Sequence, residues 1–279
     1  MMKKFFDLAY ASSSASQKLD LYLPSNPDEL HPLILFAHGG AFTFGDKRDN
    51  QLTPILRGLD RGFAVASLEY RKAEEARFPA MVYDAKAAVR FLRAHAADYN
   101  LDPEQFFGWG PSSGGWLMSM LGVTAGNPAF EDLSMGYSEQ RSDLQAVVDW
   151  CGPCGNFLQM DKAFLASGAG VADHDQPDSP ESRFLGAQIT HLPELCRMSA
   201  PCSYASETTP PFLIVHGGAD QIVPVEQSLT FYRALVAATN DTRHKLHIES
   251  GQPHHGASWY NDPWVANMGF SFLEDILTF

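Results

Sequence analysis

An α/β architecture with a mostly parallel sheet flanked by helices is the fold class the 279-residue chain predicts, on two observations. Short, nearly continuous apolar runs recur at 32–38, 62–68, 105–110, 144–150 and 211–217, as expected of strands covered on both faces. Stretches of helical spacing alternate with them, the arrangement that builds a parallel sheet with helices on its faces.

Taken in order, "KLDLYL" at 18–23 alternates Leu19, Leu21 and Leu23 with polar neighbours and reads as a half-buried strand near a sheet edge. "PLILFAH" and "GFAVASL" follow as interior strands. From 79 to about 100, Met81, Val82, Ala85, Ala88, Val89 and Leu92 fall on one side of a helix, and Pro79 suits its N-terminus. "QFFGWG" and "LQAVVDW" are strands separated by a helix at 113–123. "PFLIVHG" and "HKLHIE" are the last strands, with helices at 225–238 and 264–277. The segment 155–206 breaks the rhythm with Gly, Ser, Pro and Asp and reads as a small cap or lid. The whole of 1–279 is thus expected to be one domain carrying that insertion.

Hydrophobic residues at 45% and charged residues at 19% exclude disordered, collagen-like and coiled-coil chains. A formal charge of −13, from 20 basic and 33 acidic residues, repels phosphate backbones and anionic lipid. Nucleic acid and membrane are therefore not expected partners. No apolar run nears the roughly 18 residues of a spanning helix, and the expected address is the cytoplasm.

Chemistry concentrates in four places. Gly110-Pro111-Ser112-Ser113-Gly114 follows a predicted strand and opens a predicted helix, the context of a nucleophile elbow, in which a tight turn demands near absence of side chains two residues either side of the serine. Only Ser112 meets that spacing, so it is the expected nucleophile, and the Ser113 N–H is an expected oxyanion donor. Upstream, the strand at 32–38 ends in His38-Gly39-Gly40-Ala41-Phe42, whose Gly39 and Gly40 N–H groups can face a developing oxyanion. Asp220, in the turn after "PFLIVHG", is placed to orient an imidazole, with Asp241 and Asp262 as fallback acids. After the final strand, His254 and His255 stand side by side. His255 is favoured as base because Gly256 lets the loop approach the serine. His254 is the alternative, since neighbours in an extended loop point opposite ways.

Trp150-Cys151-Gly152-Pro153-Cys154 spells the active-site pentapeptide of thioredoxins. No clear long helix follows to stabilise a thiolate, and the motif counts only in its context. With Cys196 and Cys202 it makes four cysteines, expected to be thiols in a cytoplasmic protein. Their spacing is not that of a zinc ribbon.

The segments "HGGAF", "GWGPSSGGWL", "VVDWCGP", "PPFLIVHGGADQIVP" and "HHG" together resemble the α/β-hydrolase esterases of the bifunctional feruloyl and acetyl xylan esterase type, related to the hormone-sensitive lipase group. The likeness runs from 17 to the C-terminal helix. It implies an α/β-hydrolase fold and a serine carboxylic ester hydrolase working on small acetyl-like or aryl esters, such as those of carbohydrate, with no metal and no organic cofactor. It also implies Ser112, Asp220 and His255 as triad, with Gly39, Gly40 and Ser113 as oxyanion positions. Three positions depart from the pattern: Pro111 before the serine, Ser113 in place of the usual alanine, and the doubled histidine. A kynurenine formamidase-like amidase and a non-catalytic binding protein on the same scaffold are the competing readings.

Overall fold

The computed structural model describes residues 3–26, 29–239, 242–254 and 259–277. Eight strands form one sheet: β1 (Lys3–Ala9), β2 (Lys18–Leu23), β3 (His31–Ala37), β4 (Ala64–Leu68), β5 (Leu101–Pro111), β6 (Ala146–Trp150), β7 (Phe212–Gly217) and β8 (Lys245–Glu249). Their order is β1-β2-β4-β3-β5-β6-β7-β8. The two pairings made by β2 are antiparallel and all others parallel. The edge position expected near 18–23 belongs to β1, which the sequence reading passed over. Its side chains are mostly exposed, so it carries no buried apolar run to announce it.

The helices are α1 (Ala80–Ala94), α2 (Ala96–Tyr99), α3 (Ser113–Val123), α4 (Met160–Ser167), α5 (Pro180–Leu185), α6 (Pro193–Met198), α7 (Glu226–Thr239) and α8 (Pro263–Leu277). The single helix expected from 79 to about 100 is divided at His95. Segment 155–206 holds α4, α5 and α6, with residues 168–179 between the first two.

The core lies on both faces of the sheet, because successive strand residues point to opposite sides. On β3, Leu33, Leu35 and Ala37 pack with α1 and α3, while Ile34 and Phe36 join Phe107, Trp109 and Phe270 on the opposite face. That two-sided burial is why the central strands lack polar alternation. Among the described residues no helix is long and apolar enough to cross a membrane.

Candidate active site

Three parallel strands, β5, β7 and β8, end at the same edge of the sheet, the edge at which open α/β sheets present their ligand-binding loops. The turn after β5 places Ser112 at φ 53° and ψ −127°, a conformation costing of order 1–3 kcal/mol in a non-glycine residue. The turn is held by the Ser112 N–H donating to the Trp150 carbonyl at 2.7 Å and by Trp116 N–H donating to Ser112 O at 2.9 Å. The glycines beside it are steric requirements: a Cβ on Gly110 would lie 2.5 Å from the Gly114 carbonyl carbon, and one on Gly114 would lie 2.1 Å from the Ala37 oxygen.

Asp220 follows β7 and is buried. Its Oδ1 accepts the N–H groups of Ile222 at 2.8 Å and Val223 at 2.9 Å. Its Oδ2 accepts from His254 Nδ1 at 2.6 Å and lies 3.0 Å from His216 Nε2. Although burial favours the protonated acid, His216 and His254 outweigh it and hold the carboxyl well below the usual carboxylate range.

His254 follows β8, where the indole N–H of Trp259 ties down its loop by donating to Pro253 O at 3.1 Å. Its Nε2 lies 3.1 Å from Ser112 Oγ. With the Nδ1 proton committed to Asp220, Nε2 is left as an acceptor for the serine hydroxyl proton. Burial disfavours the imidazolium, but Cys151 and Asp220 outweigh it and raise the pKa of His254 above its ordinary value.

Of the residues singled out from sequence, the structure therefore brings together Ser112, Asp220 and His254. His255, the favoured histidine, lies outside the described residues, as does Asp241; the imidazole between serine and carboxylate is that of His254. Asp262 stands at the start of α8, where its carbonyl accepts Val265 N–H at 3.1 Å.

The loop after β3 runs beside the serine, a Cβ on Gly39 falling 3.3 Å from Ser112 Cβ. Here one expectation needs correction. The Gly39 N–H is already engaged, donating to Gln51 Oε1 at 2.7 Å, because the short helical turn Asn50–Leu52 folds the Gln51 amide back beneath the loop. Among the described residues, the N–H groups of Gly40 and Ser113 donate to no protein acceptor. His38 is fully buried, stacked on Tyr70 at 4.6 Å, and Tyr70 Oη donates to the His38 carbonyl at 2.7 Å. Phe42, Trp116 and Trp259 are buried packing residues.

The two cysteines of the thioredoxin-like pentapeptide separate. Cys151 packs with Trp150 and Tyr260 on one face of the sheet, and Cys154 joins the cluster on the other. Burial pushes the Cys154 thiol well up, and it donates to Asp149 Oδ2 at 3.3 Å. A low-pKa redox thiol is the opposite case. Cys151 instead stands beside His254 and Asp220.

Sequence reasoning missed three neighbours of the site: His216, Gln51 and the position of Cys151. Only His216 left a signal, four residues before Asp220 at the end of a buried strand.

Fold and site together define the class, an α/β-hydrolase. The BD-FAE family model matches residues 19–235, and the chain belongs to that family. Among curated relatives, "Esterase LipQ" of Mycobacterium tuberculosis is 27% identical over 236 residues, covering 82% of this chain and 52% of that protein. "Isoprenylcysteine alpha-carbonyl methylesterase ICME" of Arabidopsis thaliana is 26% identical over 246 residues, covering 85% and 53%. The chain thus spans about half the length of the curated relatives it matches. Among solved structures, a "Truncated form of carbohydrate esterase from gut microbiota" superposes with a TM-score of 0.83 at 27% identity, covering 99% of this chain and 97% of that one. A "Bifunctional GH43-CE" of Bacteroides eggerthii gives 0.82 at 29% identity, covering 98% and 35%.

Proposed function

We propose that this chain is a serine carboxylic ester hydrolase that removes small, acetyl-like acyl groups from a carbohydrate alcohol. The observation carrying the proposal is the unbroken relay from Ser112 Oγ to His254 Nε2, 3.1 Å, and from His254 Nδ1 to Asp220 Oδ2, 2.6 Å. The alcohol class rests on the likeness to a carbohydrate esterase among its structural relatives, and the acyl class on the resemblance of its motifs to esterases of the acetyl xylan esterase type.

Ser112 Oγ attacks the ester carbonyl carbon as His254 Nε2 takes its proton; Asp220 holds the imidazole tautomer and stabilises the cation. The N–H groups of Gly40 and Ser113 donate to the oxyanion, each such donor being worth about 10²–10³ in rate in measured cases. His254 returns the proton to the departing alkoxide, leaving Ser112 acylated. Water then attacks the acyl carbon with His254 again as base, releasing the carboxylic acid and restoring the serine hydroxyl. The relay asks for no metal or organic cofactor. We read segment 155–206 as a cap over this edge of the sheet.

The test is a panel of p-nitrophenyl esters of increasing acyl length, run beside acetylated xylan, methyl ferulate and N-formylkynurenine, together with labelling by a fluorophosphonate. The expected result is fastest turnover of acetate and release of acetate from xylan, with label on Ser112. Activity confined to the formamide would select the amidase, and failure to label or hydrolyse anything would select the binding protein.

A further inference from the structure

We infer that Cys151, His254 and Asp220 form a binding site for a thiophilic divalent cation of the zinc class, and that its occupancy switches hydrolysis off. The Cys151 sulfur, an imidazole nitrogen and a carboxylate oxygen lie within 4.8 Å of one another, and all three residues are buried. Thiolate, imidazole and carboxylate are the protein donors that zinc takes, at bond lengths of roughly 2.0–2.3 Å. Donors on a tetrahedral ion are then about 3–4 Å apart, so the set closes around an ion with movements on the order of 1 Å.

Two of the donors are already fixed by neighbours, as metal ligands characteristically are. Asp220 is oriented by the N–H groups of Ile222 and Val223 and by His216. Cys151 is pinned where β6 ends: its N–H donates to Val215 O at 2.8 Å, and its backbone adopts φ 48°, in the left-handed region. This strained backbone aims the thiol at the imidazole from the face opposite Cys154.

Charge and proton balance favour the ion. Starting from the neutral ring, one proton leaves, that of the Cys151 thiol, and passes to solvent; a ring that is imidazolium beforehand releases its second proton to solvent as well. A divalent cation with one thiolate, one carboxylate and a neutral imidazole is then electroneutral, which suits a buried site. Hydrolysis stops whichever ring nitrogen binds. If the ion takes Nδ1, the ring proton moves to Nε2, which can no longer accept the serine proton; if it takes Nε2, that lone pair is occupied. Sulfur in the donor set selects zinc, cadmium and cobalt over magnesium and calcium.

The test combines binding with inhibition. Cobalt(II), as a spectroscopic stand-in for zinc, is titrated into wild type and into Ser112→Ala, which reports metal without needing turnover. One ion per chain and a near-ultraviolet sulfur-to-cobalt charge-transfer band are expected in both, and the band is expected to vanish in Cys151→Ala and Cys151→Ser. In parallel, zinc is expected to inhibit p-nitrophenyl acetate hydrolysis, EDTA to restore it and magnesium to have no effect. The inhibition constant should rise at least tenfold in Cys151→Ala, measured against that variant's own zinc-free rate. Equal inhibition of the cysteine variants, or a cobalt band that survives their substitution, overturns the site. Should no ester be hydrolysed by the wild type, the esterase reading fails while the cobalt titration still decides the metal site.

Discussion

At Ser112 the left-handed backbone is imposed by the turn, while, among the described residues, the hydroxyl is aimed by His254 Nε2 at 3.1 Å. Removing the hydroxyl leaves that turn intact, so Ser112→Ala is expected to lower kcat by several orders of magnitude with an unchanged unfolding midpoint. Near-normal turnover would remove the serine from the reaction. The two histidines separate in the same assay: His254→Ala should be about as damaging as Ser112→Ala, and His255→Ala should be mild. The sign of the pH dependence follows from the environment of His254. Its pKa is raised because Cys151 and Asp220 outweigh its burial, and only the neutral ring accepts the serine proton. The acid limb of kcat/KM should therefore lie above the ordinary histidine value of about 6.5, with the rate climbing into the alkaline range. A limb at or below that value counts against the arrangement.

Among the elements, α5 has a role beyond filling space. Its Phe184 stacks on Phe42 of the loop after β3 with centroids 4.3 Å apart and rings 6° from parallel, and meets Trp116 of α3 edge-on at 5.1 Å. Ala41 and Phe42 both have positive φ, so this loop carries local strain that packing must hold. Phe184 is fully buried, and Phe184→Ala is expected to cost about 3–5 kcal/mol, read as a lower urea midpoint, with a smaller fall in kcat as the loop carrying Gly40 loosens. Full stability in that variant would mean that segment 155–206 does not brace the loop. The elements themselves were largely legible. The interior strands announced themselves as apolar runs, and α3 begins at Ser113 as the elbow required. The exposed β1 was not legible, because its ladder is made by backbone groups that leave no side-chain pattern.

Across the whole molecule, the loop edge of the sheet rests on Asp149, a fully buried carboxyl between the elbow and the turn after β6 that accepts the Gly152 N–H at 2.9 Å. Burial outweighs its Cys154 and Gly152 hydrogen bonds and raises its pKa from 3.8 to about 6. The folded chain therefore holds this proton more tightly than the unfolded chain. Its contribution is complete below pH 3.8 and is lost as pH rises toward about 6. The loss is on the order of 3 kcal/mol, at about 1.4 kcal/mol for each pKa unit. Asp149→Asn cannot ionise, so its stability relative to wild type, followed by urea unfolding at acid and neutral pH, should improve as pH rises. A difference that does not change with pH would show that folding leaves the Asp149 pKa where it is in the unfolded chain.

The sequence by itself determined the alternation of strand and helix, the serine in its glycine-flanked turn, and the chain order of serine, acid and histidine. Each is written in residues close to one another in the chain, where apolar period and steric demand act directly. The tertiary structure alone decided which histidine meets Ser112, that the Gly39 N–H is taken by Gln51, and that Cys151 stands beside the imidazole. Those outcomes depend on how loops from β3, β5, β6, β7 and β8 converge, and strand register and backbone path settle that convergence across separations of up to 142 residues. Adjacent His254 and His255 are chemically identical, so only the path of the loop distinguishes them.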